Sequence, residues 1–186
     1  MNKLFKLSLV AFAFLSANVA FAQMEKTVEV GGAPMYPSKN IVENAVNSAD
    51  HTTLVAAVKA AGLVETLQGK GPFTVFAPEN SAFAKLPAGT VETLLKPENK
   101  GQLTAVLTYH VVAGKMGSKE IADAIKKGNG KATLTTVQGG KLTAWMKGKD
   151  LYISDENGGQ SKVTIADVWQ SNGVIHSVDT VVLPKM

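Results

Sequence analysis

Residues 71–87 read Gly-Pro-Phe-Thr-Val-Phe-Ala-Pro-Glu-Asn-Ser-Ala-Phe-Ala-Lys-Leu-Pro, and they constrain the fold more than any other stretch. Residues 73–77 make a short apolar strand, Phe73 to Ala77, bounded by Gly71-Pro72 and Pro78. Pro78 has no N–H to give a ladder, so a central strand must stop there. Asn80 and Ser81 offer side-chain oxygens to the first amides of a helix that carries Phe83 and Leu86. A buried strand that runs straight into a capped helical turn sets the relation between two layers of one domain.

The N-terminus has the form of a secretory signal. Lys3 and Lys6 precede an apolar run from Leu7 to Leu15, and Ala20-Phe21-Ala22 supplies small residues for a peptidase. Cleavage is expected after Ala22, so residues 1–22 leave and the mature chain starts at Gln23. The apolar run is shorter than the ~20 residues a spanning helix requires. No later segment is apolar enough to span, and no stable membrane insertion is expected.

The chain has no cysteine, which excludes disulfides, thiol catalysis and a lipid anchor on an N-terminal cysteine. Stability must come from a core, and one domain of this length can bury enough surface to supply it. Formal net charge is +4, of which Lys3 and Lys6 contribute two units, and all 19 basic residues are lysine. Without the planar guanidinium fork, bidentate reading of phosphate or guanine is missing, and no nucleic-acid partner is expected.

Helical patterns dominate the first half of the chain. Residues 23–38 contain Gly31-Gly32, Pro34 and Pro37 without periodicity and read as a flexible leader. Asn40 and Glu43 have capping-box spacing, followed by Ile41, Val42, Ala45 and Val46 on one apolar face. Asp50 is placed to cap a helix with Leu54, Val55, Val58 and Ala61 inward, broken at Gly62. Further helices are expected over residues 90–96, 102–110 and Ser118–Lys127. Leu103, Val106, Leu107 and His110 share one face of the second of these.

Strand patterns take over from Lys131, over residues 132–137, 141–146, 151–154, 163–169 and 174–183. Asn172-Gly173 between the last two reads as a type I′ hairpin turn. Helices first and strands last predict an α+β fold with mainly antiparallel sheets and segregated helices.

Ser171-Asn-Gly-Val-Ile-His-Ser-Val-Asp-Thr-Val-Val-Leu-Pro184 is a second diagnostic segment. It contains Asn172, Gly173, His176, Asp179 and Pro184. Together with Phe73, Phe76, Pro78, Asn80 and Phe83 of the first segment, and with Leu107-Thr-Tyr-His-Val-Val-Ala-Gly114 between them, it resembles the fasciclin domain. The resemblance covers residues 39–184. It implies a β-wedge of two sheets with several helices packed at one side, and a non-enzymatic module for adhesion or extracellular protein contact. By the same resemblance, Leu107, Tyr109, His110 and Val111 are the candidate partner-binding residues. Glu79-Asn80-Ser81 departs from the threonine and aspartate common there in the family, and Ser177 stands where an apolar residue is common. The expected organisation is a signal peptide, the leader and a fasciclin domain over residues 39–186.

His110 lies on the apolar helical stripe, so it is expected inward as a hydrogen-bonded residue. Tyr109, pointing the other way along extended chain, is then expected outward as the contact residue. His176 and Asp179 are three apart on a strand and fall on opposite faces, which argues against a catalytic pair. Ser171 and Ser177 lack a strained strand–turn–helix setting. His51, His110 and His176 are dispersed without metal-ligand spacing. Asp155-Glu156-Asn157 has only part of a calcium-loop pattern and reads as a solvated turn. Of Trp145 and Trp169, at least one is expected in the core.

These readings converge on an exported protein, periplasmic or extracellular. It is expected to be monomeric, without cofactor or metal, and to bind a protein or cell-surface partner. The alternatives are a periplasmic hydrolase or metal-assisted enzyme using His110 or His176, and a small-ligand or stress-protective periplasmic protein.

Overall fold

The structure is a computed structural model describing residues 26–185. The expected signal peptide and its cleavage point lie outside the described residues. Within the supposed flexible leader the chain forms a hairpin of β1 (Val28–Val30) and β2 (Ala33–Met35). Val30 and Met35 are buried in the core. Gly31 and Gly32 turn the chain at φ of 58° and 73°, a region open to glycine because it has no Cβ. Three-residue strands are too short to show alternation in sequence, so composition alone suggested a leader.

The helical layer begins with α1 (Ile41–Ala45). Its capping box is formed: Glu43 N–H donates to Asn40 Oδ1 at 3.0 Å, and Asn40 N–H donates to Glu43 Oε2 at 2.8 Å. Val46, expected on the apolar face, lies beyond the helix and is exposed. Asn44 is buried instead, donating to Tyr36 O and to the Gln170 side chain. Next come α2 (Thr52–Ala61), α3 (Val64–Gln68), β3 (Phe73–Pro78) and α4 (Asn80–Ala84).

The cap assignments differ from the sequence reading. Asp50 does not cap α2, and Asn80 does not cap its own helix. Asn80 Oδ1 accepts from Thr53 N–H at 3.0 Å and from the Thr52 hydroxyl at 3.2 Å, while its Nδ2 donates to Ala49 O at 2.8 Å. Asn80, the first residue of α4, therefore caps α2 across space.

The chain continues through α5 (Thr90–Leu94), α6 (Lys100–Tyr109), β4 (Val111–Ala113) and α7 (Ser118–Lys127). Then follow β5 (Lys131–Thr135), β6 (Lys141–Lys147), β7 (Asp150–Ser154), β8 (Gln160–Gln170) and β9 (Gly173–Val178). Helix α7 is capped from a distance too: Asp167, at φ 60°, accepts the N–H and hydroxyl of Ser118.

The seven strands β3–β9 run in the order β4-β3-β9-β8-β7-β6-β5. Only β3–β9 is parallel, with Phe76 opposite His176. The 11-residue β8 pairs with β7 at its start and β9 over the rest, with register irregularities at Ile165. Those bulges bend the strand and join the two halves of the sheet. Val112 bridges Thr136, so the far ends of the order nearly close on each other.

The terminal turn is not type I′. Strand β8 ends at Gln170, β9 starts at Gly173, and neither Ser171, Asn172 nor Gly173 has positive φ. Gly173 is required for another reason: a Cβ there would collide with the Phe73 carbonyl oxygen of the adjacent strand.

Two cores result. Helices α1, α2, α3 and α6 and the β1–β2 hairpin pack on one face of β3–β9, over Val75, Ala77 and Ile175. The other face, with Phe76 and Val178, joins the curled β5–β8 sheet and α7 around Leu142, Ala144 and Ile153. Neither tryptophan fills a core. Trp145 is half-buried and stacked on Tyr152, and Trp169 is exposed beneath Lys115 Nζ at 5.1 Å.

Candidate partner-binding groove

An apolar groove opens between the helices and the sheet. Its walls are Ile41, Val42 and Ala45 of α1, Leu54, Val55 and Val58 of α2, and Val64 and Leu67 of α3. Its floor is Phe73, Val75, Leu107, Val111 and Ile175, and Val137 stands at one lip. The enclosed part measures about 80 Å³. Val137 is 49% exposed, and Val42, Val55, Leu63 and Val64 are half-buried along the rim.

Asn172 sets the spacing of the walls. Its Oδ1 accepts the N–H of Ile41 at 3.0 Å, and its Nδ2 donates to Leu67 O and Gly69 O, each at 2.8 Å. One buried carboxamide thus fixes the start of α1 and the end of α3 on the end of β9. The polar groups bordering the groove either belong to the rim, as with Lys59 and Thr66, or are already engaged. His51 Nδ1 pairs with the Ser48 hydroxyl at 2.9 Å. His110 Nδ1 donates to Val106 O at 2.8 Å, and its Nε2 accepts Val182 N–H at 3.2 Å. Burial pushes His110 down to about 4 and lowers His51 as well. Both rings are therefore neutral hydrogen-bonding parts of the wall at neutral pH.

The four candidate contact residues are all buried, at 0–6% exposure. Leu107, His110 and Val111 border the groove. Tyr109 does not. It enters the other core, where its hydroxyl donates to Lys141 O at 2.7 Å and accepts Glu156 N–H at 3.3 Å, and burial pushes the phenol up to about 12. The expectation of an outward Tyr109 is therefore corrected. The two neighbours do diverge, but into different cores, because this part of the sheet is covered on both faces.

His176 and Asp179 are held apart from each other, whereas the Ser177 hydroxyl meets His51 Nε2 at 3.4 Å in the buried interior. His176 Nδ1 accepts Asp167 N–H at 3.3 Å, its Nε2 donates to Met116 O at 2.9 Å, and its ring stacks on Phe76 at 5.6 Å. Asp179 lies beyond β9, accepts Lys162 N–H at 2.9 Å and pairs with Lys85 Nζ at 3.3 Å. Partial burial would raise its carboxyl, but the hydrogen bonds from Lys162, Thr180 and Lys85 outweigh that and lower it. Asp155 accepts the N–H groups of Asn157, Gly159 and Leu183, so it ties the turn to the C-terminal segment. Phe83 is half-buried between helices, and Pro78 and Pro184 are buried.

The fasciclin domain family model matches residues 49–184. The chain belongs to the fasciclin domain family. It is 45% identical over 182 residues to Protein sll1483 of Synechocystis, covering 96% of this chain and 94% of that one. Immunogenic protein MPB70 of Mycobacterium bovis is 35% identical, over 75% of this chain and 66% of its own. Transforming growth factor-beta-induced protein ig-h3 of Sus scrofa is 37% identical over 70% of this chain, which is only 17% of that longer protein. Among solved structures, the fasciclin domain pair from the insect cell adhesion molecule Fasciclin I superposes with a TM-score of 0.69 at 15% identity. That match covers 86% of this chain and 58% of the other, and it bears on the fold alone.

In sequence Val42, Val55, Leu63 and Val64 fall on inward apolar faces of helices and Val137 at the end of a strand, so none of them was marked as a binding rim. Their signal is weak: aliphatic residues at the borders of short apolar stripes, which sequence assigns to the core. Among the described residues no cluster of His, Cys, Asp or Glu is placed to hold a metal, and no helix is long and apolar enough to cross a membrane.

Proposed function

We propose that this fasciclin-domain chain is an exported, non-enzymatic module that holds a protein or cell-surface partner through the apolar groove. The observation carrying the reading is a groove with a half-buried aliphatic rim and an exposed Val137, whose floor includes Leu107 and Val111. Its enclosed volume of about 80 Å³ is well below the roughly 150 Å³ that accepts a free benzene molecule. It fits the end of one partner side chain, as an anchor pocket in a small interface does. A cell surface location is consistent with the relative Cell surface glycolipoprotein MPB83 of Mycobacterium bovis, 37% identical over 66% of this chain. Export rests on Lys3, Lys6, the apolar run and Ala20-x-Ala22, and intact mass of the protein in periplasm or medium tests it.

The groove is tested by adhesion of the full chain to envelope preparations. Val137→Glu and Val42→Glu place a charge on the rim and should abolish retention without lowering the urea midpoint. Lys119→Glu, on the exposed face of α7, should behave as wild type. Groove variants that adhere as well as wild type would reject the reading.

A further inference from the structure

Strands β5–β8 turn one face inward, with Ala132, Leu134, Leu142, Ala144, Leu151, Ile153 and Val163 buried. The other face is composed quite differently. Register places Lys131 opposite Trp145, Trp145 opposite Tyr152, and Tyr152 opposite Lys162, a single row across four strands. At ~4.8 Å per strand the row is about 14 Å long. Beside it runs a second row, Thr133, Thr143, Ser154 and Gln160. Thr135, Lys141, Lys147 and Asp150 complete the face, which carries no aliphatic residue.

This face has an excess of unused donors. The indole N–H of Trp145 and the phenol of Tyr152 make no hydrogen bond to the described residues, and neither do the hydroxyls of Thr133 and Thr143. Lys131, Lys141 and Lys147 have no ion-pair partner among the described residues. Only Lys162 is paired, to Asp150 at 2.8 Å. The other acidic groups nearby are Glu156, which accepts the Lys141 N–H at 3.4 Å, and Asp179, which accepts the Lys162 N–H at 2.9 Å and is itself paired to Lys85. The two rings stack at 4.8 Å and 20° and stand half-exposed between the lysine rows.

We propose that this face binds an anionic polysaccharide, one bearing carboxylates along the chain. A flat, donor-rich surface with net positive charge complements a ligand rich in acceptors and negative charge. Amphipathic aromatic rings add apolar surface for the C–H faces of sugar rings while their polar edges donate. A protein partner is less suited: interface cores favour aromatic, methionine and arginine side chains but are depleted in lysine, serine and acidic residues, and here two lysines flank the two rings in their row with threonine and serine beside them. The site is separate from the groove and does not depend on it.

Affinity electrophoresis of the full chain through gels containing polygalacturonate or neutral dextran tests the assignment. Retardation is expected in polygalacturonate alone. Tyr152→Phe deletes only a hydroxyl and should weaken retardation about fivefold. Lys131→Gln with Lys147→Gln should abolish it. Lys126→Gln with Lys127→Gln makes the same charge change on α7 and should leave retardation intact. Equal loss from both lysine pairs would mean net charge alone, and an unaffected Tyr152→Phe would show that the unused phenol donor takes no part. Stronger retardation by oligo-dT would replace the polysaccharide with a single-stranded nucleic acid. Each of these results overturns the proposal, as does failure of wild type to bind polygalacturonate. Unchanged urea midpoints for the variants separate lost binding from lost folding.

Discussion

The His110 ring joins α6 to the C-terminal segment: its Nε2 accepts the backbone N–H of Val182, and its Nδ1 donates to Val106 O. A proton added at Nε2 would face that N–H instead of accepting from it. Burial accordingly holds His110 at about 4 against an ordinary value of 6.5, and burial lowers His51 and His176 in the same direction. The unfolded chain binds protons that the folded chain refuses. Stability should be complete above pH 6.5 and decline as pH falls from there toward 4. His110 alone accounts for about 3 kcal/mol at the acid end. Urea midpoints across this range measure it, and a midpoint constant to the acid end would show that the rings titrate freely.

Tyr109 is expected to matter for folding rather than contact. Tyr109→Phe removes the hydroxyl that joins Lys141 O to Glu156 N–H, and it should cost about 1–2 kcal/mol. Tyr109→Ala also empties part of the second core, at about 3–5 kcal/mol. Partner retention by folded Tyr109→Phe should equal wild type. A fully stable Tyr109→Ala would place the ring outside.

Gly173→Ala should be strongly destabilising although its φ is ordinary. The added Cβ strikes the Phe73 carbonyl oxygen and the Ile41 side chain, so β3 and β9 must separate where their parallel pairing begins. Overpacking of this kind costs about 1–3 kcal/mol, and thermal unfolding would register it. An unchanged melting temperature would show that the strand ends yield freely.

Local features were legible in the sequence because short-range chemistry determines them. The Asn40–Glu43 box, the stop at Pro78 and the bounds of α7 at Ser118 and Lys127 all follow from residues within a turn of one another. The α+β layering followed from the change of period at Lys131. Features that join distant segments were not legible. Asn80 looked like a cap for the helix it begins, and only the packing of α4 against α2 shows which amides it reaches. Tyr109 was assigned to the surface because alternation states that neighbours diverge, not what covers each face. The groove, assembled from helices α1, α2, α3 and α6 and strands β3, β4 and β9 with Asn172 as their tie, has no contiguous signature.

Asn80 supplies the sharpest test of capping across space. Its Oδ1 accepts the Thr53 N–H and the Thr52 hydroxyl at the start of α2, and its Nδ2 holds Ala49 O in the turn before that helix. Asn80→Ala leaves the Thr53 N–H without a side-chain acceptor at the positive end of the helix dipole, and should cost about 1–2 kcal/mol. Asn80→Asp keeps the acceptor and adds a favourable charge there, but loses the donor to Ala49 O. It should therefore fall between wild type and alanine, and its deficit should grow with added salt as the charge is screened. Amide exchange locates the effect: protection should drop at Thr52 and Thr53 in α2, not at Ser81 or Ala82 in α4. Loss confined to α4 would mean that Asn80 caps its own helix after all.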